Sequence, residues 1–452
     1  MTKQFLKTGI GLLTIVSVFY FCSSSKKTTS TKSPDPAPAA PVPPAMEVPA
    51  PVVKPLPQGK TDPFLLDLLS KYPEYFRDIL ANRDSNRVQI IYTQIDRKAN
   101  NEPIFTDYRL NVSPDIYFYP ASTVKMPTAL LALQRLNELR IPGLNKNSAI
   151  ITGANYSGQN EVLNDPTTPD GRPSISQYVK KIFLVSDNDA FNRLYEFLGQ
   201  EYINRKLHDM GYERAEIIHR LERVLTEDQN RHTNPVRFLD ESNRLLYEQP
   251  MQFNQQPYLV RNEWLGNAYY RGNELRQGPM DFSKKNRLVL DDLHMILRSV
   301  LFPNSVPAKQ RFNLSDDDYK FVRKYMSQFP TESNYPSYLK PDYWDAYCKF
   351  LYWGSAKDNL PKTFRVFNKV GDAYGFLIDA AYVVDFDKKI EFMLSASIYC
   401  NSDGVLNDSK YDYDSVGMPF MKNLGRVIYD LELKRKREQI PDLSTFRFTY
   451  EK

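Results

Sequence analysis

The sequence predicts an α+β fold: one antiparallel sheet built from N- and C-terminal segments, with a helical lobe inserted between them. Two observations carry that prediction. β-rich runs stand at both ends of the chain: Arg87 to Ile95 and Pro103 to Asn111 early, then Lys362 to Gly371, Phe376 to Phe386 and Ile390 to Tyr399 late. Text with helical periodicity fills the space between them.

Asp62-Pro63 reads as an N-cap and first-turn pair, and Phe64 to Leu80 has helical periodicity. The first two β-rich runs are split by 96–102 and form a hairpin. Tyr119-Pro120-Ala121-Ser122-Thr123-Val124-Lys125-Met126-Pro127 opens an apolar helix that runs to Leu139. A helical region extends from Ser174 to about Gly211, and residues 227–287 are irregular, polar and aromatic. That stretch reads as an insertion that packs core or lid, or lines a substrate rim. Leu288 to Leu301 and Ser315 to Phe329 are helical, the second with Ser-Asp-Asp-Asp at its N-terminus, where acidic groups suit the helix dipole. The three late runs form a meander with turns at 372–375 and 387–389, and a last helix spans Met418 to Arg437.

Upstream of this domain, assigned to 62–452, residues 1–22 have the form of an export signal: Lys3 and Lys7 precede an apolar run from Gly9 to Phe21 that is short for a membrane span. The run ends at Cys22. A cysteine there resembles a bacterial lipoprotein signal, which implies acylation of Cys22 and an envelope location facing the periplasm or exterior; Phe21 departs from the small residue such signals carry. An uncleaved signal anchor and a leader cut elsewhere are the other readings. Residues 23–61 form a linker, Pro-rich from Ser33 to Pro57, which favours extended polyproline II over a packed core.

Composition excludes several functions. The 452 residues carry 59 Lys and Arg against 54 Asp and Glu, a net charge of +5 that calls for no nucleic-acid partner. Lys434 to Arg437 reads as a solvated helix end. Four histidines, His208, His219, His232 and His294, have no metal-ligand spacing, so neither metal nor other cofactor is expected. Cys348 and Cys400 read either as a pair or as two buried thiols.

Chemistry gathers at Ser122. A serine hydroxyl needs an adjacent base to become a nucleophile, and a lysine three residues on lies on the same helical face. Alone, Ser122 would read as a helix N-cap, and Ser-x-x-Lys recurs at Ser23, Ser24 and Ser337. Two downstream elements set Ser122 apart: Ser186-Asp187-Asn188, which alone would read as a capping cluster, and Lys369-Val370-Gly371 at the end of a β-rich run. In that order these resemble the Ser-x-x-Lys, Ser-Asp-Asn and Lys-Thr-Gly elements of the class A serine β-lactamases and penicillin-binding proteins. Arg220-Leu221-Glu222-Arg223-Val224-Leu225-Thr226 resembles the Arg-x-Glu-x-x-Leu-Asn loop of class A.

The resemblance implies a β-lactamase/transpeptidase-like fold and amide hydrolysis through an acyl-Ser122 intermediate. It implies Lys125 or Glu222 as base, Ser186 as proton relay, and Glu222 as the group orienting a deacylating water. Asn188, Lys369, Gly371 and Asp372 would bind substrate, the Asn188 amide would also bond Lys125, the backbone N–H groups of Ser122 and Asp372 would hold the oxyanion, and Arg220 would pair with an acidic neighbour. The implied substrate is a small β-lactam or a peptidoglycan stem peptide, on a monomer tethered to a membrane. Val370 and Thr226 depart from the pattern at a hydroxyl and an asparagine, and Asp372 adds negative charge. A D-alanyl-D-alanine carboxypeptidase and a non-catalytic envelope lipoprotein on the same fold stand as alternatives.

Overall fold

The computed structural model describes residues 57–452. Contacts divide the chain into Met1–Val52 and Val53–Lys452. The expected export signal, Cys22 and nearly all of the linker lie outside the described residues. Among these, no helix is long and apolar enough to cross a membrane.

The helix expected from Phe64 to Leu80 is two helices, α1 (Pro63–Ser70) and α2 (Pro73–Ala81). Pro73 causes the break, since it lacks an N–H and its ring cannot follow a helical turn. The hairpin is β1 (Gln89–Arg97) and β2 (Pro103–Leu110). Asp62 precedes α1 but caps no helical N–H. Its carboxylate accepts from the Arg109 N–H at 2.7 Å, which ties α1 to β2.

After a 3-10 turn over Ala121–Val124 comes α3 (Lys125–Leu139). β3 (Ala149–Thr152) is next, then α4 (Ile175–Val185), α5 (Asn188–Leu198) and α6 (Gln200–Asp209) fill the expected helical stretch. The segment expected to be irregular holds α7 (Glu227–Arg231) and short strands: β4 (Val236–Leu239), β5 (Leu245–Gln249), β6 (Trp264–Leu265), β7 (Ala268–Arg271), β8 (Glu274–Gln277) and β9 (Met280–Asp281). α8 (Leu290–Leu301) and α9 (Asp316–Ser327) come next, and the Ser315 hydroxyl and Asp318 carboxylate cap α9 reciprocally. The meander is β10 (Phe364–Ala373), β11 (Phe376–Asp385) and β12 (Ile390–Tyr399), succeeded by β13 (Val405–Leu406) and α10 (Met418–Lys434).

The main sheet has the order β10-β11-β12-β1-β2, antiparallel throughout, so the two ends of the domain join at β12 and β1. One face packs on α1, α2 and α10 through Leu65, Phe76, Phe420, Leu424 and Ile428. The other packs on α8 and the helical lobe. Both faces of β11 are covered, and all ten of its residues are buried. Each large side chain so buried contributes about 1.5–3 kcal/mol.

The basic run 434–437 does more than decorate a helix end. Arg435 pairs with Asp96 and, at 2.8 Å, with Glu432; Arg437 also pairs with Glu432. Glu432 is fully buried and takes a further hydrogen bond from the Tyr92 hydroxyl. A buried carboxylate needs such partners, because desolvation otherwise costs several kcal/mol. The result locks α10 to β1.

Candidate active site

Ser122 stands in the 3-10 turn ahead of α3. At three residues per turn, side chains i and i+3 eclipse, so Lys125 lies directly beneath Ser122. Its Nζ donates to Ser122 Oγ at 2.7 Å. The turn is held by Thr123, whose hydroxyl donates to the Pro120 carbonyl at 2.6 Å. Ala121, just before Ser122, is left-handed at φ 46°. A left-handed residue with a Cβ costs on the order of 1–3 kcal/mol and persists only where surroundings over-determine it.

Lys125 is wholly buried. Burial, and after it the charge of Lys369, holds its pKa well below the ordinary lysine value. The lysine is thereby moved toward the neutral form that accepts a proton.

The α4–α5 junction brings in Ser186, Asp187 and Asn188. Asp187 does the capping, accepting from the Ala190 N–H at 2.8 Å. Ser186 ends α4 in the left-handed region, φ 60°. That conformation turns its carbonyl onto Lys125, and its hydroxyl lies 3.2 Å from the same Nζ. The expected Asn188–Lys125 hydrogen bond is not made. An ammonium has three donors, and the contacts of Lys125 go to Ser122 Oγ and to the carbonyl and hydroxyl of Ser186. Asn188 faces the cleft half-buried.

β10, an edge strand, closes the other side. Lys369 Nζ donates to Ser186 Oγ at 2.7 Å and to the Val370 carbonyl at 2.8 Å. Burial pulls its pKa down to about 8. Gly371 sits where no side chain fits. A Cβ there would lie 2.8 Å from the Pro120 carbonyl oxygen, 2.9 Å from Ser122 N and 3.0 Å from Thr123 N. This approach brings the strand backbone onto the Ser122 turn. Ser122, Lys125, Ser186 and Lys369 therefore form one continuous hydrogen-bonded row. β10 continues to Ala373, past the expected turn at 372. Asp372 stands exposed at its end, beside buried Val370.

The Glu222 loop is pinned on both sides. Arg220 donates to Glu196 at 2.9 Å, to the Gln229 carbonyl at 3.2 Å and to the His232 carbonyl at 2.9 Å, which makes Glu196 its acidic partner. Leu221 exchanges two hydrogen bonds with the Asn192 amide, at 2.9 and 3.0 Å. Between these anchors and α7, Glu222 is left-handed at φ 51° and exposed. Thr226, at the position of the expected asparagine, is committed elsewhere: its hydroxyl accepts from the Gln229 N–H as N-cap of α7.

These groups open onto a cavity of about 490 Å³ lined by Ser122, Ser186, Asn188, Glu222, Val370 and Asp372. The sequence reading missed its remaining wall. Trp344, Tyr347, Cys348 and Lys357 come from the segment between α9 and β10, and Asp414 from the turn before α10. The aromatic insertion 227–287 contributes no lining residue; its Phe282 packs under Tyr119 and Tyr374 instead. The density of Tyr and Trp over 335–353 was the available signal. Cys348 and Cys400 are both free and buried.

Residues 73–248 match the family described as the β-lactamase enzyme family. The matched stretch takes in Ser122, Lys125, Ser186, Asn188 and Glu222 and ends before Lys369. No curated protein matches the chain. Solved structures similar to it include a β-lactamase from Burkholderia phymatum, at 13% identity and TM-score 0.45, covering 80% of this chain and 98% of that one. A class A β-lactamase from Clostridium kluyveri DSM 555 is similar at 15% identity and TM-score 0.44, covering 80% and 98%. A structure of PBP-A is similar at 14% identity and TM-score 0.44, covering 83% and 98%.

Proposed function

We propose that the chain is a serine hydrolase of the class A β-lactamase type, opening a β-lactam or related amide through an acyl-Ser122 intermediate. The supporting observation is the row from Ser122 to Lys369, centred on the 2.7 Å contact between Lys125 Nζ and Ser122 Oγ. In this reading Ser122 Oγ passes its proton to neutral Lys125 and bonds to the carbonyl carbon. The oxyanion rests on the N–H groups of Ser122 and Asp372, where each such donor lowers the barrier by about 3 kcal/mol. Ser186 gives its proton to the leaving nitrogen and takes one from Lys125, breaking the amide bond. Lys369 holds Ser186 in place and supplies positive charge. Glu222 then takes a proton from water as the water attacks the acyl carbon; the bond from that carbon to Ser122 Oγ breaks, and the proton passes from Glu222 to the departing Oγ, which restores the Ser122 hydroxyl.

A second reading, a D-alanyl-D-alanine carboxypeptidase or other peptidoglycan hydrolase, draws on two observations. Thr226 is committed to capping α7, and Val370 offers no hydroxyl. A panel of a penicillin, a cephalosporin and an acyl-D-Ala-D-Ala peptide, run on residues 57–452 and on Ser122→Ala, decides between them. Turnover of the β-lactams, lost in the variant, supports the first reading; turnover of the peptide alone supports the second. No Ser122-dependent turnover favours the non-catalytic lipoprotein. We also place the chain in a bacterial envelope, tethered at Cys22. Incorporation of labelled palmitate that persists in Cys22→Ser would remove that placement.

A further inference from the structure

The outer wall of the cavity at Ser122 carries groups whose side-chain charge the acyl-forming step does not use. Glu222, Asp372 and Asp414 all line it, and all three are exposed. Among the described residues none of these carboxylates has a hydrogen-bonded or ion-paired side-chain partner. Two of them are coupled: desolvation in the cleft, with the Glu222 charge adding to it, holds the Asp372 carboxyl above its ordinary range against the opposing pull of Lys369 and Lys125. Val370, next along from Lys369, is buried and apolar and presents no group to a substrate carboxylate.

The same cavity has an aromatic wall. The Trp344 and Tyr347 rings meet edge to face with centroids 4.9 Å apart. The exposed ammonium of Lys357, on the same cavity wall, stands 4.7 Å from the Trp344 centroid. One ring of the cleft already receives a primary ammonium, supplied by the protein itself. Carboxylates combined with an aromatic face are what binds an organic cation, through charge and through the ring quadrupole.

Resting on the acyl-Ser122 reading, we propose that this cleft selects amide substrates carrying a free primary ammonium group, held by Asp372 and Asp414 against the Trp344–Tyr347 wall. Lys357 is the internal stand-in for that group, and an entering ammonium competes with it for the ring. The selectivity is set outside the Ser122 row and is separable from the bond-breaking step.

The probes are two penicillins that share the bicyclic nucleus and its carboxylate: ampicillin, with a side-chain ammonium, and benzylpenicillin, without one. Two readouts keep the claims apart. Ser122 acylation is timed by intact-protein mass spectrometry, and binding to Ser122→Ala, which cannot be acylated, is measured by calorimetry. Ampicillin is expected to acylate and bind about tenfold better at low salt, the lower end of what a focused field of one sign gives. The advantage is expected to collapse toward unity in the double variant Asp372→Asn, Asp414→Asn and at about 0.5 M salt, where screening removes it. Lys357→Met, which clears the ring, is expected to strengthen ampicillin binding and leave benzylpenicillin unchanged. Equal rates and affinities for the two penicillins overturn the proposal, as does an advantage that survives the double variant. Preferential binding of ampicillin to Ser122→Ala without acylation of the parent protein keeps the charge selection and removes the acyl reading. Acylation by both at one rate does the reverse.

Discussion

Gly371→Ala is the substitution whose consequence is most directly set by the geometry. The new Cβ would meet Pro120 O at 2.8 Å, Ser122 N at 2.9 Å and Thr123 N at 3.0 Å, all backbone atoms, whereas ordinary contact begins at 3.4 Å. No rotamer change relieves such a clash, so β10 and the Ser122 turn must separate by about 0.5 Å, the difference between 2.9 and 3.4 Å. Overpacking of this kind costs about 1–3 kcal/mol of stability. The same shift carries Lys369 and the Asp372 N–H away from Ser122. A misplacement of about 1 Å costs roughly 10²-fold in rate, so half of it is expected to cost about tenfold. The assay pairs thermal denaturation with the rate of Ser122 acylation, measured where the variant is still fully folded. A variant that acylates at the parent rate refutes the claim that strand and turn jointly build the site.

The same geometry sets further outcomes. The acylation rate is expected to be bell-shaped in pH: it rises as Lys125, depressed by burial and by Lys369, loses its proton, and falls as Lys369 deprotonates at about 8. A rate still climbing at about pH 10, the ordinary lysine value, contradicts the roles given to the two lysines. Arg220→Ala is expected to cost about 3–5 kcal/mol, because it leaves buried Glu196 with one of its two arginine partners gone; a midpoint shift in urea unfolding worth less than about 1 kcal/mol would show that the pair does not hold the loop. Thr226→Ala is expected to cost about 1 kcal/mol through the lost cap of α7 and to leave deacylation unchanged; single-turnover kinetics that slow with this variant would return Thr226 to the water site. Glu222→Ala is expected to leave stability near the parent value and to let acyl-enzyme accumulate, so equal deacylation rates in the two proteins would remove Glu222 from the mechanism.

Much of the fold was legible because its signals are local. The period-2 runs and their turns gave the hairpin and the meander, and the Ser315 acidic cluster gave the start of α9. The residues of the row were legible as well, since Ser122 and Lys125 are fixed by helical spacing, while Ser186 marks a helix junction and Lys369 lies in a β-rich run. The misreadings have physical causes. Pro73 broke a helix whose apolar period ran through it. Lys125 found the backbone carbonyl of a left-handed Ser186, a partner that a reading of side chains does not contain. Thr226, a departure from the family pattern already visible in the sequence, caps a local helix start. The wall made by Trp344, Tyr347, Lys357 and Asp414 has no periodicity to read. Its position depends on how the α9–β10 segment and the turn before α10 meet across the sheet, which only the tertiary fold decides.

The central claim is that Ser122 is a nucleophile activated by the row from Lys125 to Lys369. Intact-protein and peptide mass spectrometry after exposure to a penicillin tests it most directly. The account predicts a covalent adduct of the mass of the opened β-lactam on the peptide containing Ser122, absent in Ser122→Ala and slowed in Lys125→Ala. An adduct on another residue, or none with any β-lactam or acyl-D-Ala-D-Ala peptide, would contradict it.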